Sequence, residues 1–141
     1  MPPDLSRPAS GTRAIARPLL ASRVEAGFPS PADDYVERSL DLNEELIHHP
    51  AATYFLRAGG RSMQGAGIHD GDLLVVDRSI TPEVGMVVVA VVDGEFTVKR
   101  LARSKDGMVL AAEHPGYSPI AIGPDTEVRM WGVVTSVIHR P

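Results

Sequence analysis

A peptide-bond hydrolase needs a nucleophile and a base, and this chain offers few pairings of the two. Its 141 residues contain no cysteine, which removes a thiol nucleophile, a Cys-ligated zinc site and a disulfide framework together. Among the serines, Ser62 has the most suggestive surroundings. In Gly59-Gly60-Arg61-Ser62-Met63 it follows two glycines, which allow a tight turn and bring backbone amides close to a bound carbonyl. The same segment also reads as an ordinary turn. A serine hydroxyl attacks a carbonyl only when a neighbour takes its proton, and that neighbour must be unprotonated at working pH. Lys99, in Phe96-Thr97-Val98-Lys99-Arg100-Leu101, meets this need if it is desolvated, because burial disfavours the charged ammonium. In a strand Thr97 and Lys99 share one face, and Phe96 and Val98 the other. Which face meets the core therefore decides between a base and a solvated lysine beside Arg100.

Other polar residues point elsewhere. His48 and His49 are neighbours whose side chains diverge on a helix, and His69, His114 and His139 have no ligand spacing, so neither a metal nor a Ser-His-Asp triad is expected. No cofactor is implied. Asp70, Asp72 and Asp77 read as turn chemistry, their carboxylates accepting from nearby amides. Tyr117 lies in a Pro- and Gly-containing loop as a packed aromatic, and Trp131 is either a core residue or a partner-facing anchor.

The elements that must position Ser62 and Lys99 are strands. Apolar residues make up 43% of the chain, with 12 prolines and 13 glycines, and Val and Ile fall in short runs rather than helical stripes. Strands are expected at Thr53–Leu56, Leu73–Val76, Val87–Val92, Phe96–Leu101, Met108–Ala111 and Val128–Ile138, the last interrupted by Gly132. Asp93-Gly94, between two β-branched runs, is the strongest hairpin signal. One short helix is expected from a capping box, Asp41 with Glu44, up to His49-Pro50. Residues 1–34, punctuated by six prolines, read as a flexible arm, leaving 35–141 as one β-rich core.

Net charge is −4, split as +2 over residues 1–25 and −6 over the remainder. An acidic body is a poor match for duplex DNA, whose phosphates demand a basic face, so no direct sequence-specific DNA binding is expected. No signal peptide is expected, and no stretch approaches the ~20 apolar residues of a membrane span. A cytoplasmic protein is the expectation.

Read together, these motifs form ordered blocks: Ala26-Gly27-Phe28-Pro29-Ser30-Pro31; Asp41-Leu42-Asn43 through His49-Pro50; Gly60-Arg61-Ser62-Met63; Gly67 through Asp77; Asp93 through Leu101; and Trp131 through Thr135. The sequence resembles the self-cleaving serine peptidases typified by the LexA repressor and, more closely, the UmuD proteins of SOS mutagenesis. The likeness runs from about Gly27 to Ile138.

The resemblance implies a mainly β catalytic core like that of LexA and signal peptidases, with a cleavable N-terminal arm. It implies Ser62 as nucleophile, Lys99 as base, backbone amides of Ser62 and Arg61 as the oxyanion hole, and Ala26-Gly27 as the scissile bond. It also implies an SOS-response serine endopeptidase that cleaves itself on a RecA filament. The shortened chain would be a homodimer serving a Y-family translesion DNA polymerase. Only 26 residues precede the expected cut, too few for a helix-turn-helix reader. UmuD proteins often carry cysteine where Ala26 stands, and the Arg- and Pro-rich first 20 residues are longer than the likeness predicts. Two other readings compete. One is a non-catalytic β-rich adaptor for a polymerase or RecA, and the other is a signal peptidase, which would need a membrane anchor.

Overall fold

The computed structural model describes residues 14–29, 31, 32 and 34–141. Contacts divide the chain into two compact units, one ending at His48 and the other running from His49 to Pro141.

In the first unit β1 (Ala16–Leu20) pairs antiparallel with β2 (Val36–Asp41), and α1 (Leu42–Leu46) follows directly. The strand β1 lies inside the segment expected to be a flexible arm. Its sequence hid it: Pro18 cannot donate to a ladder and is tolerated because a two-stranded ribbon consists only of edges. A bulge at Leu19/Leu20 further blurs the alternation. The helix begins as its cap predicts, with Asp41 Oδ1 accepting from Asn43 N at 2.9 Å. It ends at Leu46, short of His49-Pro50, and the reciprocal bond from Glu44 is absent among the described residues.

The second unit is one antiparallel sheet of seven strands. These are β3 (Thr53–Arg57), β4 (Leu73–Asp77), β5 (Val87–Val92), β6 (Glu95–Ser104), β7 (Gly107–Ala111), β8 (Ile120–Ala121) and β9 (Val128–Ile138), in spatial order β3-β4-β9-β5-β6-β7-β8. Six of the seven match the expected runs; β8, at two residues, is too short to give a periodic signal. Asp93 and Gly94 take φ of 48° and 85°, the left-handed pair of a tight hairpin that holds β5 and β6 in register. The mainly β fold with one short α-helix is as the sequence predicts.

The long strand β9 crosses Gly132 without a break and bulges instead. Val89 faces Gly132 and Ala90 faces Met130, which leaves Trp131 as the extra residue. Glycine is required there because a Cβ would lie 2.6 Å from Val76 Cγ1. Successive residues of β5 feed opposite faces of the sheet. Val89 joins Met63, Ile68, Leu74 and Val76 in one apolar cluster, and Val88 and Ala90 join Leu101, Leu110 and Val133 in the other. Trp131 packs at the margin of the first cluster, edge-on to Tyr54 and Phe96, with Arg78 over its ring at 4.4 Å. No helix among the described residues is long and apolar enough to cross a membrane.

Candidate active site

Ser62 sits in the loop between β3 and β4, and its position is fixed from both sides. Upstream, Gly60 N donates to Asp70 Oδ1 at 2.8 Å, with Gly60 at φ 81°, a conformation open to glycine at no steric cost. Downstream, Met63 is buried in the first cluster and anchors the residue after Ser62. Across the loop, Glu113 N donates to Ser62 O at 2.7 Å and Gly65 N donates to Glu113 O at 2.7 Å. A Cβ on Gly65 would lie 2.5 Å from that carbonyl, so only glycine allows the approach. Among the described residues, the N–H groups of Arg61, Ser62 and Met63 donate to no protein acceptor.

Lys99 reaches the same point from the middle of β6. It pairs with the fully buried Val88, and Leu101, two residues on and on the same face, is also buried. Both faces of the sheet are apolar here, with Val98 against the first cluster and Leu101 in the second, so alternation alone does not set the exposure of Lys99, which is half-buried. Lys99 Nζ donates to Ser62 Oγ at 2.8 Å and makes a second, longer contact of 3.3 Å with Val98 O. No carboxylate pairs with the ammonium among the described residues, and burial holds its pKa below the usual lysine value.

The pair lines a groove of about 350 Å³ whose other walls include Leu56, Ala58, Val89 and Val98. One side is formed by β3, an outer strand of the sheet. Behind the groove, Arg100 binds the Glu113 carboxylate through Nε and Gly85 O through a terminal nitrogen at 2.6 Å. Glu113 thus ties the strand of Lys99 to the loop of Ser62. The sequence had left both residues of this brace without a role, because their pairing depends on where β7 ends.

A hydroxyl and a desolvated amine at hydrogen-bond distance in an open groove can perform base-assisted nucleophilic attack. The model of the family described as Peptidase S24-like matches residues 18–135. The chain belongs to the Peptidase S24-like family. Protein ImpA of Escherichia coli is 50% identical to this S24-like chain over 142 residues, covering 95% of it and 92% of ImpA. Protein MucA of Escherichia coli is 45% identical over 140 residues, 98% of this chain and 95% of MucA. The LexA repressor of Bordetella avium is 40% identical over 120 residues, 85% of this chain and 56% of the repressor. The expected kinship with UmuD-like and LexA-like self-cleaving peptidases agrees with these matches.

The remaining residues singled out in this S24-like sequence fall into three groups. Ala26 and Gly27 are exposed in a bend between β1 and β2, within the first unit. The aspartates behave as turn chemistry predicts. Asp70 takes Gly60 N–H, Asp72 takes His69 N–H at 2.8 Å, and Asp77 takes the N–H and hydroxyl of Ser79. The histidines depart from the sequence reading. Spacing suggested no common site, yet the ladder of β4 with β9 brings His139 and His69 onto Asp72. That convergence spans 67 residues, beyond the reach of any local pattern. His114 lies apart from it, stacked edge-on with the exposed Tyr117.

Proposed function

We propose that this protein is a self-cleaving serine endopeptidase of the SOS response. Ser62 acts as nucleophile, Lys99 as general base and Ala26-Gly27 as the bond cut. The single observation that carries this reading is the 2.8 Å separation of Lys99 Nζ and Ser62 Oγ, with Lys99 desolvated. Neutral Lys99 accepts the hydroxyl proton as Ser62 Oγ attacks the Ala26 carbonyl carbon, and the oxyanion is held by the amides of Ser62 and Arg61. The proton passes to the Gly27 nitrogen as the C–N bond breaks. Water, deprotonated by Lys99, then attacks the Ser62 ester and releases the carboxylate of Ala26. The outer strand β3 beside the groove suits an extended segment laid alongside it.

Residues 1–34 serve as the cleavable arm, and residues 35–141 as the peptidase core. Because arm and site belong to one chain, their effective concentration is about millimolar by linker arithmetic, so restraint must come from conformation and from protonation of Lys99. A RecA filament on single-stranded DNA favours the arm conformation that presents Ala26-Gly27. The shortened chain is a cytoplasmic homodimer that acts as accessory subunit of a Y-family translesion polymerase. Incubation with and without RecA, single-stranded DNA and a nucleotide triphosphate, followed by intact mass, tests this. A fragment beginning at Gly27 and accumulating faster with the filament is the expected result. A chain that stays whole with the filament and at alkaline pH would instead be the non-catalytic adaptor.

A further inference from the structure

We propose that His69, Asp72 and His139 form a site for a divalent first-row transition metal, separate from the Ser62–Lys99 pair. The three side chains converge from the start of β4 and the end of β9. His69 and Asp72 bracket the tight turn before β4, closed by Asp72 N donating to His69 O at 3.0 Å, and His139 follows the last residue of β9. Leu73 pairs with Ile138, so the next residues outward, Asp72 and His139, lie side by side. His139 Nδ1 is 2.6 Å from Asp72 Oδ1, His69 Nδ1 is 3.6 Å from Asp72 Oδ2, and the donor atoms of all three residues lie within 4.8 Å of one another. An ion with bonds of roughly 2.0–2.2 Å requires donors roughly 3–3.5 Å apart. Small rotations of two half-exposed imidazoles, whose rings already lie 4.6 Å apart, reach that spacing.

The donor chemistry selects the class of ion. Two imidazole nitrogens and one carboxylate oxygen suit zinc, nickel, cobalt or copper, and leave positions open for water. Calcium and magnesium, which take oxygen ligands, are disfavoured because two of the three donors are imidazole nitrogens and Asp70 spends Oδ1 on Gly60 N–H. Asp72 is buried, and His69 N–H donates to its Oδ2 at 2.8 Å. That backbone bond orients the carboxylate, the role an outer partner plays in metal sites.

The test titrates the full chain with Zn2+ by calorimetry and with Co2+ by visible absorption. One equivalent per chain is expected, with His69→Ala and His139→Ala each weakening binding by roughly tenfold or more. His48→Ala, at an exposed position in the first unit, should leave it unchanged. Zn2+ should also raise the melting temperature of the unaltered chain and fail to do so in either variant. Both altered residues are half-exposed, and each variant reads the site independently. Absence of saturable binding up to millimolar metal, or affinity undiminished in both His69→Ala and His139→Ala, would overturn the proposal.

Discussion

Glu113 N donates to Ser62 O at 2.7 Å, and the carboxylate of the same Glu113 is held by Arg100, the residue after Lys99. One residue therefore couples the loop of the proposed nucleophile to the strand of the proposed base. Arg100→Ala should slow self-cleavage by roughly two- to tenfold, because the pair is partly exposed and worth on the order of 1 kcal/mol of positioning. Arg100→Lys should restore part of the rate. The readout that separates positioning from a role in proton transfer is the pH profile, which should keep its shape in both variants as the plateau falls.

The pH dependence follows from Lys99. Burial lowers its pKa, so the neutral amine that the mechanism requires becomes populated below the ordinary lysine range. Cleavage without RecA should rise with pH and level off below 10.5, the ordinary lysine value. The sign for stability is the same. Below the folded pKa the buried ammonium costs stability, and that cost fades as pH rises through the window between the folded value and 10.5. Lys99→Met should accordingly raise the melting temperature at neutral pH while removing cleavage, a combination measurable by calorimetry and intact mass on the same sample.

Gly132 borders the bulge that β9 makes opposite β5, and it lies against Val76 of β4. A methyl group there meets Val76 Cγ1 at 2.6 Å and Arg78 Cγ at 3.3 Å, and Val76 is fully buried with no space to retreat. Gly132→Ala should destabilise the sheet by about 1–3 kcal/mol. In thermal unfolding this is a drop of several degrees.

Six of the seven strands of the second unit were legible as apolar runs bounded by turn residues, as Val87–Val92 and Asp93-Gly94 illustrate. The Ser62–Lys99 approach was legible only through the order of motifs along the chain; alternation in β6 could not place Lys99, because both faces of the sheet carry an apolar cluster. What stayed hidden depends on distant pairing. The ribbon of β1 with β2 contains Pro18 and mostly exposed residues, and offers no periodic signal. The Arg100–Glu113 brace and the meeting of His69 and His139 on Asp72 are set by where β7 ends and by the register of β4 with β9.

Self-cleavage as proposed requires Ser62 and Lys99 to act as a pair on the chain's own arm. The direct measurement is intact mass after incubation at alkaline pH of the unaltered chain, Ser62→Ala and Lys99→Ala. A fragment starting at Gly27 is expected from the unaltered chain and none from either variant. The same cut at Ala26-Gly27 in Ser62→Ala protein would contradict the proposed mechanism.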